Sequence, residues 1–442
     1  METIDNTTQN KISNDKEHIY FQDIPFIPFF DFNKISQSVV KKKTLTFVIT
    51  GATGFLGSNF IQELLNFQED ELDHLNLIVL GRNTEDESLK NRVASLFGNS
   101  DYPYLTFEHH KKGKEKTKFL AQKAKYININ LQKDDLGISD IDLANLKNIE
   151  IDYFFHIAAL TDLRLTDLAR EKNIESNYKG THRILNFIET NNIKVKEFDH
   201  VSTAYVSGKK EGLISPNYTN IHEKFNNSYE YTKLLAELEV EKFAKRTGIK
   251  YRIFRPSVIC GRLLDGNLGA INKYDVFYQF AVFFLMLKSK FAPDQDLNKP
   301  WETDIRAYYL EDGGVNIVPV DYVAKMMYQI CLNDHPDTHF NLTNTTNVII
   351  GDFVKILLKE VNVTGVKHVE FVPSKLNKFE RLYYSHCGQI FEAYASYRNK
   401  KFDDSNLRAL KEKTGIYCPE INSDKFDILF KYARNNSFGL FS

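Results

Sequence analysis

Apolar residues in the first 260 positions arrive as short, nearly unbroken runs. Six stand out: "TLTFVIT" (44–50), "LNLIVLG" (75–81), "AKYININL" (124–131), "IDYFFHIAA" (151–159), "EFDHVSTAYV" (197–206) and "KYRIFRPSVICG" (250–261). Runs that stay apolar instead of alternating predict strands buried on both faces. Between most of them the apolar spacing changes to three and four, as in "SNFIQELLNFQ" (58–68) and across 167–189 and 229–245. That spacing predicts helices with one buried stripe. Strand and helix in alternation predict an α/β fold, a doubly wound parallel sheet covered on both sides.

Past Gly261 the alternation weakens, and helical patterns follow at 276–288, 320–332, 350–361 and 377–397. Three parts are expected. These are a polar N-terminal extension (1–43), a sheet domain (44–262) and a smaller, mostly helical substrate-binding region (263–442), part of which returns to the sheet. The longest apolar run, "VFYQFAVFFLML" (276–287), contains Gln279. It is well short of the roughly 20 residues a membrane-spanning helix needs. A buried helix or an apolar substrate wall is expected there, and no transmembrane segment.

Composition narrows the picture further. The chain's 442 residues carry 57 basic and 58 acidic side chains, a net charge of −1. Nothing in that balance points to nucleic acid or to an anionic membrane surface. The four cysteines, Cys260, Cys331, Cys387 and Cys418, form no CxxC pair. That disfavours a metal site and a disulfide framework and fits a reducing compartment. The opening residues lack the apolar core of a signal peptide, so a cytoplasmic location is expected.

The first chemical signal is "TGATGFLG", with Gly51, Gly54 and Gly57 directly after a strand and opening a helix. One glycine permits the tight turn, one lets backbone amides approach a pyrophosphate, and one lets helix and strand pack closely. The helix N-terminus adds partial positive charge. The fold is therefore expected to be Rossmann-type, with Gly51, Thr53, Gly54, Phe55, Leu56 and Gly57 against a dinucleotide. The second strand ends in "VLGRN", placing Arg82 where an acid would favour NAD, and Arg92 follows on the next helix. A basic residue at this place suits a ribose 2′-phosphate. The expected cofactor is NADP(H), held in part by Arg82 and Arg92.

Six segments then occur in a fixed order: "TGATGFLG", "HIAAL", "NYKGT", "HVSTAYV", "YEYTK" and "RPSVICG". With them the chain resembles the extended short-chain dehydrogenase/reductase superfamily over roughly residues 45–262. The resemblance implies an oxidoreductase in which a Ser or Thr, a Tyr and a Lys serve a carbonyl beside the nicotinamide. Hydride addition leaves negative charge on the carbonyl oxygen, which needs an acid and a second donor. Two tyrosines precede Lys233. On a helix, residues four apart share a face and residues two apart do not. Tyr229 is therefore the acid that can stand beside Lys233, and Tyr231 a packing residue. A neighbouring ammonium is expected to lower the phenol's pKa. The resemblance further gives Lys233 the nicotinamide ribose hydroxyls. Counted from Gly208, it gives Thr203 the carbonyl-holding hydroxyl, with Ser202 as the alternative. Asn177 is read as a backbone clamp and His156 as a packed, hydrogen-bonded histidine. Ala158 and Ala159 should lie near the cofactor, and Pro256, Ser257 and Val258 should border the nicotinamide.

"LGIS" (136–139) ahead of the fourth strand, "HIAAL" at its end, "VSTAYV" and "YEYTKLLAE" resemble the thioester reductase and fatty acyl-CoA reductase branch. So does the insertion after the second strand (83–123). One departure stands out: Ile129-Asn130-Leu131 replaces that branch's Gly-Asp-Leu. This resemblance implies reduction of an acyl thioester, on coenzyme A or a separate carrier protein, to an aldehyde or, with a second hydride, an alcohol. Two other readings share the motif order. One is a nucleotide-sugar epimerase/dehydratase or 3β-hydroxysteroid-type dehydrogenase. The other is a non-catalytic NADP-binding regulator. The residues name no oligomeric state.

Overall fold

A computed structural model describes residues 26–27, 44–98, 105, 107, 112–293, 299–395 and 397–440. Seven strands form its central sheet. They are β1 (Leu45–Thr50), β2 (Leu75–Gly81), β3 (Lys125–Asn128), β4 (Glu150–His156), β5 (Lys194–Val201), β6 (Lys250–Pro256) and β7 (His339–Leu342). The spatial order is β7-β6-β5-β4-β1-β2-β3, and every neighbouring pair is parallel. The apolar runs account for this arrangement. In β1, Phe47 and Ile49 face one core, with Phe155 and Phe254, while Val48 faces the other, with Phe154 and Phe198. The chain starts in mid-sheet at β1, builds outward to β3, then returns to β4 on β1's other side. That reversal opens a crevice at the carboxyl ends of β1 and β4, the place where sheets of this kind take ligands.

Several elements differ from the sequence pattern. The run at 250–261 divides at Ser257 into β6 and a short strand, Val258–Cys260, that pairs with Ile317–Pro319 instead of the main sheet. The 167–189 pattern is not one uniform helix. Asp167–Asn173 and Gly180–Thr190 are α, with a π segment, Ile174–Lys179, between them. The region past 262 is less purely helical than its spacing predicts. It contributes β7 and a parallel pair, Trp301–Tyr308 with Val363–Val369. Phe26–Ile27 pairs antiparallel with Gly266–Asn267, and the rest of the 1–43 extension lies outside the described residues. Among the described residues no helix is long and apolar enough to cross a membrane.

Helix α1 (Phe55–Phe67) follows the glycine loop, and a later helix, α2 in this account (Val320–Leu332), packs against it through a buried ionic cluster. Glu63, with no exposure, accepts hydrogen bonds from Arg262 Nη2 (2.7 Å) and Lys325 Nζ (2.5 Å). Asp265 meets the same two cations at 2.5 and 2.8 Å. Asp321 accepts from the backbone amides of Leu263, Leu264 and Asp265. Charges this deep persist only because each meets a partner. They lock the glycine-loop helix to the C-terminal part of the chain.

Candidate active site

The turn between β1 and α1 is built for close approach. Gly51 adopts φ +77°, and a side chain there would bring Cβ to 2.6 Å from the Ala158 amide nitrogen. A Cβ on Gly57 would lie 2.1 Å from the Gly51 carbonyl oxygen. No side chain caps α1, so its first amides remain for an anion in the crevice. Beside the turn, Arg92 donates to the Arg82 carbonyl (2.9 Å) and to Thr53 Oγ1 (3.4 Å), bringing both arginines to one rim. The Asn130 side chain accepts from the Gln132 amide at 3.0 Å, a turn-building role.

Behind the turn, β1 and β4 are stitched by a buried histidine. His156 Nδ1 lies 2.8 Å from Thr50 Oγ1, and Nε2 lies 3.1 Å from Thr181 Oγ1. Thr181 donates to the Asn177 carbonyl (2.7 Å), so it accepts from His156 Nε2–H, and Thr50 donates to Nδ1. Burial pushes His156 down to about 3, which keeps it neutral. Asn177 clamps the Leu160 backbone in both directions, accepting its amide (2.7 Å) and donating to its carbonyl (2.9 Å). The π segment carries Asn177 to that place and puts Ser176 on the crevice wall.

The helix Ser228–Thr247 begins at Asn227, whose side chain caps the Glu230 amide. Tyr229 therefore sits in the first turn, with Lys233 one turn later on the same face. Both line the crevice, together with Thr203. The hydroxyls of Thr161 and Thr203 stand beside the Tyr229 phenol in the crevice. Burial pushes the phenol up to about 12, and those two donors offset the effect in part. Lys233 is 1% exposed and donates to the Val201 carbonyl (2.6 Å) and to His200 Nε2 (3.3 Å). Burial pushes it down to about 7. This differs from the expectation that Lys233 lowers the Tyr229 pKa. Its ammonium is engaged by Val201 and His200, and desolvation dominates both groups. Tyr231 points elsewhere: it is 40% exposed and its ring packs on Phe225 (5.3 Å).

Thr203 Oγ1 also reaches the Pro256 carbonyl (3.4 Å) and accepts from the Tyr205 amide (3.3 Å). Ser202 Oγ is buried with no protein partner among the described residues. Ser257 donates to Asn316 (2.7 Å), which holds the end of β6 in place. The crevice measures about 520 Å³. All the expected residues line it: Gly51, Thr53, Gly54, Phe55, Leu56, Gly57, Arg82, Arg92, Ala158, Ala159, Thr203, Tyr229, Lys233, Pro256, Ser257 and Val258. Sequence reasoning missed Thr161, Tyr205 and Tyr394, which line it as well, while Val276 opens the run expected as an apolar wall. Thr161 was within reach of inspection, because it directly follows "HIAAL". Tyr394 had no local signal.

Comparison with known proteins agrees with this layout. Residues 49–327 match the family model described as male sterility protein. A probable fatty acyl-CoA reductase 5 of Arabidopsis thaliana is 32% identical over 184 residues, 41% of this chain and 35% of that protein. The alcohol-forming fatty acyl-CoA reductase of Simmondsia chinensis is 30% identical over 197 residues, 44% and 37% respectively. The match thus spans little more than a third of either relative. In three dimensions, the terminal R domain from the myxalamid PKS-NRPS biosynthetic pathway superposes with a TM-score of 0.64. It covers 90% of this chain and 92% of the domain at 20% identity, which establishes a shared fold.

Proposed function

The chain belongs to the male sterility protein family, and from that premise we propose that it is an NADPH-dependent reductase of acyl thioesters. One observation carries the reading. Tyr229, beside the hydroxyls of Thr161 and Thr203, shares a crevice with the glycine turn and stands one helical turn from buried Lys233. The named activity of the plant relatives, fatty acyl-CoA reduction, supports the substrate class.

The residues suit the cofactor. Gly51 and Gly57 sit where a Cβ would collide with backbone, the uncapped start of α1 suits a pyrophosphate, and Arg82 with Arg92 suits a 2′-phosphate. Ala158, Ala159 and the Pro256–Val258 segment would border the nicotinamide, and Lys233 its ribose. When bound, NADPH supplies the hydride.

The chain's own residues do the rest. Thr203 and Tyr229 hold the thioester carbonyl oxygen. As negative charge develops there, Tyr229 Oη gives up its proton to that oxygen, and the Thr161 hydroxyl steadies the phenolate. The resulting hemithioacetal breaks its carbon–sulfur bond to release an aldehyde and a thiol, on coenzyme A or a carrier protein. The high phenol pKa favours a protonated, donor-ready Tyr229 at neutral pH, as reduction requires.

The test is NADPH oxidation by the purified protein against acyl-CoA, UDP-sugar and hydroxysteroid substrates. Turnover of an acyl thioester is expected, and Tyr229→Phe should lower it by about 10²–10⁴-fold with NADPH still bound. Replacing Arg82 and Arg92 by Ala should weaken NADPH by about 10–100-fold and leave NADH unchanged, since each forfeits a charge-assisted bond to the 2′-phosphate. Turnover of a sugar nucleotide or steroid with every thioester inert would overturn the proposal.

A further inference from the structure

Part of the crevice wall has no place in dinucleotide binding. Thr161, Leu163, Tyr205, Val276 and Tyr394 line it, with Lys273 and Asp275 at the edge, paired to each other at 2.5 Å. Apart from that self-neutralised pair and the threonine beside Tyr229, this is an apolar and aromatic bay. It opens next to the atom that protonates the substrate. An alkyl chain suits such a lining better than a sugar, which would need polar partners.

The two rings of the bay are fixed. Tyr205 and Tyr394 meet edge to face, centroids 5.0 Å apart and planes at 90°. Tyr205 lies in the short turn that follows Thr203 and packs on Phe402 (5.7 Å). Tyr394 ends the helix Gln389–Tyr394, carried there by the π segment Tyr384–Gly388. Its hydroxyl accepts from Asn227 Nδ2 (2.9 Å). Asn227 is the cap of the Tyr229 helix. Swinging the ring away would break its edge-to-face contact with Tyr205 and strip the buried Asn227 amide of a partner, which is costly. The pair is thus a stop and not a gate. The whole crevice, about 520 Å³, falls within the roughly 300–1,000 Å³ typical of a site for one ligand. A dinucleotide and an acyl group would have to share that volume.

We propose that Tyr394 is a specificity-determining residue, which with Tyr205 forms a fixed aromatic stop limiting the length of the acyl group that reaches Tyr229. The proposal rests on the thioester-reductase reading and deepens it: the wild type favours the short members of an acyl series.

The experiment is kcat/KM across straight-chain acyl-CoAs from acetyl to palmitoyl for the wild type, Tyr394→Phe, Tyr394→Leu and Tyr394→Ala. Melting curves and NADPH binding establish that each variant is folded. Tyr394→Ala should move the optimum to longer chains and raise the long-to-short ratio by about tenfold or more. Tyr394→Leu should do so by less, and it carries the comparison should the alanine variant fail to fold. Tyr394→Phe keeps the ring and loses its anchor, so the optimum should stay while the profile broadens. A purely structural tyrosine would lower the melting temperature and leave the length profile unmoved. Superimposable profiles in folded variants would overturn the stop and spare the reductase. A wild type inert to every thioester would overturn the reductase and the stop together.

Discussion

Lys233→Met isolates what burying the lysine does to the protein. Lys233 is 1% exposed, and burial takes it from an ordinary 10.5 to about 7. At about 1.4 kcal/mol per pH unit, that gap corresponds to about 5 kcal/mol of stability, withheld while the ammonium is charged in the unfolded chain and disfavoured in the folded one. The sign follows from proton binding. Between about pH 7 and pH 10.5 the unfolded chain holds the proton more tightly, so wild-type stability rises with pH. The contribution is fully present above the unfolded value and lost as pH falls through the folded one. Methionine lacks this term. It also removes the donor to Val201 O, a loss of about 1–3 kcal/mol for a buried carbonyl. The apo-variant should therefore be more stable than the wild type by about 2–4 kcal/mol below pH 7, and less stable above about pH 10. Urea unfolding followed by circular dichroism, at intervals from about pH 6 to pH 10, measures the crossing. Parallel curves for the two proteins, or a destabilised variant at pH 6, would refute the reasoning.

Thr161→Val removes one of the two hydroxyls beside Tyr229. It should raise the phenol pKa further and lower kcat by about 3–10-fold, the worth of a typical neutral hydrogen bond, in steady-state assays. Gly57→Ala forces a Cβ to 2.1 Å from the Gly51 carbonyl, so NADPH binding measured by fluorescence titration should fall by more than about tenfold as the turn opens. Glu63→Gln leaves Arg262 and Lys325 with one fewer buried counter-charge. It should lower the unfolding free energy by about 3–5 kcal/mol, seen as an earlier urea midpoint. Tyr231→Ala, at an exposed ring on Phe225, should change stability by no more than about 1 kcal/mol and leave kcat within about twofold.

The architecture was readable because its causes are local. Short apolar runs bounded by turn residues and alternating with amphipathic helices read as strands buried on both faces. A glycine triplet between strand and helix has few other uses. Tyr229 and Lys233 share a face because a helix turns every 3.6 residues, a relation fixed before anything packs. The same arithmetic put Tyr231 elsewhere, where the structure finds it. The boundaries that differed have tertiary causes. The 250–261 run breaks at Ser257 because Asn316, from a distant segment, takes its hydroxyl and the Val258 amide. The 167–189 helix takes a π turn around Asn177, which is tied to the Leu160 backbone of another loop.

The electrostatics also came from packing. Whether Lys233 faces the phenol or the Val201 carbonyl depends on how deep the helix sits against β5, and depth is not written in a helical spacing. Thr161 joins the crevice wall next to Leu160, whose backbone Asn177 holds from a remote helix. Tyr394 lies 165 residues beyond Tyr229 and reaches the site only because the C-terminal region packs onto the cap of its helix. The sequence by itself determined the sheet, the phosphate turn and the tyrosine–lysine face, since each follows from the backbone geometry of neighbouring residues. Burial and contacts between remote segments decided the protonation of Lys233 and Tyr229 and the aromatic wall of the crevice, because desolvation and long-range contact exist only once the chain has closed around itself.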